Sequence, residues 1–356
     1  MGRNYVIFIL FVIISMAANI DMPKKVIDQI QTVTIAGHDL AEDDKVRTTV
    51  VAPFFAKEGE LQDLYYTNTA STIYKNKIKL NAQASEQLLN AKMEVILYSK
   101  ELAEKGMEDY IRYLLRDPSI GANLHLAVTE GSSKDILKSF ETGKGTGMYL
   151  EDLLEHNVQH GHLPLADLKE FSSHLESKSR DPFLPMLGLK DGKPYLKALA
   201  LFDEDKLVDT IPIQETGVFK MLYERVSDGQ YNVSSSDFEV SIQNIESSRS
   251  IKAVKKDGQV EVTINVQMKG VIREFSKDKA VSRLPAIEKK VKSDFQKNAR
   301  KMVKRLQELN IDPLNIEGYV KGQVRGYSKK QFEKAYPELP VHINVDVSLT
   351  ESGARR

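Results

Sequence analysis

The chain has 356 residues, with 50 lysine and arginine side chains set against 50 aspartate and glutamate, and it has no cysteine. A formal net charge of zero excludes a whole-molecule electrostatic pull toward nucleic acid. The missing cysteine excludes disulfides, a thiol nucleophile, a thiolate metal site and a lipid-bearing cysteine, so stability must come from buried core.

Residues 1–18 read as a signal or N-terminal apolar segment. Arg3 supplies a positive start, and Tyr5 to Ala18 is an uncharged run of 14 residues. A spanning helix needs about 20 apolar residues to cross about 30 Å of hydrocarbon, so the run fits an export-signal core better than a membrane span. Ser15-Met16-Ala17 or Met16-Ala17-Ala18 would serve as the small-residue cleavage site. The body that follows is expected to work outside the cytoplasm, at or near a membrane.

In that body, Gln31–Gly37 and Lys45–Pro53 are dominated by β-branched residues and read as a hairpin, with His38–Asp44 as its polar turn. Leu64–Tyr74 reads as a further strand, Asn81–Lys92 as a helix and Met93–Tyr98 as a buried strand. Ser99 stands where a helix N-cap belongs. Behind it Leu102, Ala103, Met107, Tyr110, Ile111, Leu114 and Leu115 recur at helical spacing until Arg116-Asp117-Pro118 stops the helix. Leu124–Val128 is the next strand, Gly143–Gly147 a flexible loop, and Tyr149–Val158 and Pro164–Leu175 are helices. The two prolines of Arg180-Asp181-Pro182-Phe183-Leu184-Pro185 predict an irregular stretch, with a domain boundary just after it.

Ala198–Thr210 reads as a small hairpin around Asp203-Glu204-Asp205-Lys206. Alternation marks Val260–Lys269 and Val341–Leu349 as strands with one buried and one wet face, as in antiparallel sheets. Lys256–Gln259 turns the chain between Ile251–Lys255 and the first of these strands. Between the two strands a long amphipathic helix lines up Ile287, Val291, Phe295, Ala299, Met302, Val303, Leu306 and Leu309; a shorter helix follows from Leu314. The expected fold is α+β and multi-domain, with mixed or antiparallel sheets each packed with helices. The divisions are 1–18, 19–186 and 187–356, with 187–240 as a candidate small middle domain.

Candidate chemistry is sparse. His156, His160 and His162 form the one histidine cluster, yet Asn157 replaces the glutamate that a zinc-protease helix requires after its first histidine; a solvated helix end is the better reading. Gly143-Lys144-Gly145-Thr146-Gly147 lacks phosphate-loop spacing, and no Gly-x-Ser-x-Gly elbow occurs. Between Arg283 and Arg305 nine basic residues, Arg283, Lys289, Lys290, Lys292, Lys297, Arg300, Lys301, Lys304 and Arg305, stand against Glu288 and Asp294. A solvated outer face explains them, with anionic lipid headgroups as the second reading. We assign no catalytic, cofactor or metal residue and expect a non-enzymatic binding protein. Two competitors are an exported soluble ligand-binding module and an exported hydrolase with a metal at His156 and His160.

Several stretches together resemble the Ger(x)C spore germination proteins of endospore-forming bacteria, the C subunits of nutrient germinant receptors. They are Leu114-Leu115-Arg116-Asp117-Pro118, Arg180–Pro185, Ala200–Val208, Glu215-Thr216-Gly217, the basic helix, Ile311-Asp312-Pro313-Leu314 and the closing strand to Ser352-Gly353. The resemblance implies a non-enzymatic receptor subunit on the outer face of the spore inner membrane. It would be assembled with A- and B-type membrane-embedded subunits, without cofactor or nucleic acid. One departure stands out: the family's lipobox cysteine is replaced by Asn19, which has no thiol to carry a thioether lipid. Retention at the membrane surface would then depend on partner contacts or on the uncleaved apolar run.

Overall fold

The computed structural model describes residues 30–55, 60–177, 180–235, 238–276 and 283–351. The apolar segment 1–18 and Asn19 lie outside these residues. Strand β1 (Ile30–Thr32) precedes an antiparallel meander of β2 (Ile35–Leu40), β3 (Val46–Phe55) and β4 (Leu61–Ala70). The turn between β2 and β3 is shorter than expected: only Glu42–Asp44 form it, as a single 3-10 turn, while His38 and Asp39 are buried in β2. Asp39 is buried because it has work there, accepting from the Ser133 and Lys134 N–H groups at 2.6 and 3.3 Å.

Helix α1 (Ile73–Asn81) starts at Thr72, whose hydroxyl accepts from the Lys75 N–H. The helix expected over Asn81–Lys92 is therefore displaced toward the N-terminus. That stretch instead holds β5 (Gln87–Leu89), paired parallel with β1. Periodicity failed here because α1 turns a polar residue inward: Asn76 is fully buried and bonds to Val46 O, Thr48 Oγ1 and Asn68 at 2.7–3.0 Å.

Strand β6 (Val95–Ser99) is buried at every residue. Ser99 caps the next segment as expected, but the segment is two helices, α2 (Lys100–Lys105) and α3 (Glu108–Arg116), broken at Gly106 with φ of 132°. Then come β7 (His125–Thr129), α4 (Ser133–Lys138), α5 (Thr146–Gln159) and α6 (Leu168–Ser177).

The double-proline stretch is a correction as well. Phe183–Lys190 forms strand β8, and Pro185 stands inside it. Pairing of β8 with β7 begins only at Met186, so on that side no ladder bond is asked of Pro185. Strands β9 (Lys193–Asp203) and β10 (Lys206–Pro212) complete an eight-stranded sheet of order β10-β9-β8-β7-β6-β2-β3-β4. Its middle four strands are parallel and both flanks are antiparallel. This sheet continues through residue 186, where a boundary was expected, to Pro212.

Beyond it lie α7 (Ile213–Tyr223), β11 (Tyr231–Ser234), β12 (Glu239–Lys256), β13 (Gln259–Phe275), α8 (Leu284–Glu308), α9 (Ile316–Gln323), α10 (Lys329–Ala335) and β14 (Val341–Glu351). The second sheet has order β11-β12-β13-β14. β12 and β13 form the expected hairpin, but β14 runs parallel to β13. The reason is connection: α8 crosses the sheet between them and returns the chain to the starting end. The fold is α+β with mixed sheets, and one apolar cluster is continuous through both. Among the described residues no helix is long and apolar enough to cross a membrane.

Candidate functional site

Five of the stretches that carried the resemblance, Arg180–Pro185, Ala200–Val208, Glu215–Gly217, the basic helix and Ile311–Leu314, meet along one seam between the two sheets, whereas Asp117 of Leu114–Pro118 pairs with Lys77 away from it. Asp181, just before β8, is its centre. Asp181 Oδ2 accepts from the Asp312 N–H at 2.6 Å and Oδ1 from the Glu204 N–H at 3.2 Å. Asp312 in turn accepts from the Ile316 and Glu317 N–H groups at 2.8 and 2.7 Å, satisfying the open first turn of α9. The β9–β10 turn reaches the other way: Asp205 accepts from the Glu108 N–H with its carboxylate and from the Met107 N–H with its carbonyl, both at 3.0 Å. It thereby closes the start of α3 beside Gly106.

Further along the seam, Arg305 of the basic helix grips Asp209 of β10 through two bonds of 2.6 and 2.8 Å and also donates to Thr210 O. A bidentate guanidinium–carboxylate pair of this kind is both strong and orienting. Lys301 reaches Glu215 at 3.2 Å, and Thr216 donates to His162 O at 2.7 Å. The basic face of α8 is thus split. Arg305 and Lys301 fasten the two sheets together, while Lys304 pairs within the helix to Glu308 at 3.7 Å.

The seam encloses a space of about 390 Å³ lined by acids such as Asp181, Asp203, Glu204 and Asp312, with Arg180 and His174 opposite. Burial pushes the Asp181 carboxyl up, against the pull of its two backbone bonds, and Asp203 and Glu204 push it further. Asp312 is pushed up to about 8 by burial, against the Glu317 and Ile316 N–H groups. His174 is pushed down to about 4 by burial and by the Arg180 cation. A neutral His174 suits the geometry, because Arg180 Nη1 lies 3.3 Å from His174 Nε2 and can donate to its lone pair. The same guanidinium lies 5.6 Å from the Tyr223 ring centre.

Other sequence candidates fall elsewhere. His156 and His160 lie with ring centres 4.4 Å apart and tilted at 54°, and His160 pairs with Asp228 at 3.2 Å; His162 is pushed down, first by burial and then by those two rings. These three do not bring three ligand atoms together, whereas His125, Glu151 and Glu155 do. The glycine-rich loop becomes the first turn of α5. Its Thr146 N–H and hydroxyl donate to Asp63 at 2.8 and 2.6 Å, so a carboxylate sits where a phosphate would bind. Asp39, Asp63 and Asn76 were missed by sequence reading, since each acts on a residue far along the chain.

Comparison with known proteins agrees with this architecture. Residues 23–189 match the family profile described as the spore germination protein N-terminal domain, and residues 197–353 match the spore germination B3/GerAC-like C-terminal profile. The chain therefore belongs to the GerAC, or Ger(x)C, family of spore germination proteins. It is 28% identical over 353 residues to spore germination protein GerQC of Bacillus cereus, covering 97% of this chain and 98% of that one. Spore germination protein A3 of Bacillus subtilis strain 168 is 26% identical over 263 residues, covering 70% and 68%. The crystal structure of the GerBC protein shares the fold with a TM-score of 0.62 at 15% identity, covering 88% of this chain and 96% of that one.

Proposed function

We propose that this chain is the C subunit of a nutrient germinant receptor. In this reading it is a non-enzymatic component, held at the outer face of the spore inner membrane by A- and B-type membrane-embedded subunits, and required for nutrient-triggered germination. The observation that carries the reading is end-to-end similarity to GerQC, over 97% of this chain. The clamped seam supports it: Asp181, Asp312 and Arg305, all in shared stretches, spend their polar groups on holding two sheets in one arrangement, as suits a subunit that presents a fixed surface to partners. With Asn19 in the lipobox position, retention rests on those partners. Spores lacking this chain should lose germination in response to at least one nutrient and regain it on complementation. Unchanged germination to every nutrient tested would overturn the proposal.

A further inference from the structure

We propose that His125, Glu151 and Glu155 form a binding site for one divalent transition cation of the zinc or manganese class, away from the seam. One candidate ligand atom from each lies within 4.8 Å of the other two. Glu151 and Glu155 stand one turn apart on α5, and like charges at that spacing are unfavourable for a helix by themselves. His125 opens β7, where its backbone N–H donates to Glu94 O at 3.0 Å and fixes the residue under the helix.

The imidazole is the second observation. Its side chain is 10% exposed, and Nε2 is aimed at Glu155 Oε1 from 3.8 Å, beyond hydrogen-bond reach. Among the described residues the ring makes no hydrogen bond, and its one close polar neighbour is the Glu155 carboxylate, so a nine-tenths buried imidazole faces the two glutamates at ligand-like rather than hydrogen-bond distance. Zinc bonds to imidazole nitrogen and carboxylate oxygen at about 2.0–2.2 Å, so ligand atoms around it stand about 3.4 Å apart. The 3.8 Å contact is close to that spacing, and a small rotation of the solvent-side carboxylates closes the rest.

A further carboxylate stands close by: Glu94 Oε2 is buried without a hydrogen-bond partner. A recess of about 430 Å³ bordered by Lys92, Glu94, Asn123 and Glu151 opens beside the Glu151 carboxylate. One imidazole with two carboxylates favours a transition cation over calcium or magnesium. The sequence alone suggested no metal residue, and its nearest histidine pair was His156 and His160.

The test is calorimetric titration of the metal-stripped full chain with zinc and, separately, manganese, beside E151Q/E155Q, H125Q and H156A/H160A. Loss of an outer-sphere partner commonly weakens metal binding about 10–100-fold, so loss of direct ligands should weaken it at least about ten-fold. We expect one equivalent of cation in the wild type, at least that weakening in E151Q/E155Q and H125Q, and no change in H156A/H160A. E151Q/E155Q guards against misfolding, since glutamine keeps the size of both side chains, Glu155 is exposed and Glu151 is only half-buried. Without metal its melting temperature should equal or exceed that of the wild type, and it should lose the rise that cation gives the wild type. No saturable binding by the wild type would overturn the proposal. Binding that survives E151Q/E155Q, or that vanishes only in H156A/H160A, would do the same.

Discussion

Asp181 illustrates how much a single carboxylate can hold in this protein. Removing it in Asp181→Ala strands the Asp312 and Glu204 N–H groups at the seam. The Glu204 donor is exposed and can turn to water, but the buried Asp312 donor left unpaired costs about 1–3 kcal/mol, so the denaturation midpoint should drop, and Asp181→Asn should fall between variant and wild type. An unchanged midpoint for Asp181→Ala would show that the seam is wet and slack. Its neighbour Asp312 makes stability depend on pH. Its carboxyl titrates near 3.8 in an open chain and near about 8 when folded, so the folded state binds the proton more tightly. The stability this group contributes is complete below about 4 and is lost as pH rises through about 8. His38 and His174, both pushed down to about 4 by burial, work the other way: their contribution is present above about 6.5 and is lost as pH falls through about 4. Comparison with the uncharged variant isolates Asp312. Measured from pH 5 to pH 8, Asp312→Asn should gain stability relative to wild type, and a constant difference would refute the assignment.

Among the elements, α5 is where local preference and packing disagree most. Gly147 lies in its first turn, and alanine there would be the better helix former. Yet a Cβ on Gly147 would lie 2.6 Å from both Thr34 Oγ1 and Glu94 Oε2. Gly147→Ala should therefore destabilise by about 1–3 kcal/mol, the usual range for an overpacked site. Gly131→Ala, with nothing within 4 Å, is the control and should be close to neutral. Sequence pattern marked the elements unevenly, for reasons that can be named. Alternation in Val260–Met268 and Val341–Leu349 exposed both strands, and seven of the eight apolar stripe residues of α8 are indeed buried. Strand direction was not legible, because a period of two is the same in a parallel and an antiparallel pair. Gly106 concealed a break, since α2 and α3 both keep apolar residues inward on either side of it. In α1 the buried Asn76 disguised the inner face as polar.

For the whole molecule, the seam is the feature least accessible to local reading. Asp181 and Asp312 are separated by 131 positions, and no spacing rule links residues so far apart. The stretches that hold them were nevertheless visible as short shared motifs before their joint purpose was. In three dimensions they join a mixed eight-stranded sheet to a four-stranded one through α8 and the start of α9, with the β9–β10 turn tied to Asp181 on the first side. The most direct test of the receptor assignment is recovery of the C-terminally tagged chain from crosslinked dormant-spore membranes, with companions identified by mass spectrometry. We predict that polytopic A- and B-type receptor subunits co-purify with it. A membrane fraction that contains those subunits but never yields them with this chain would contradict the account.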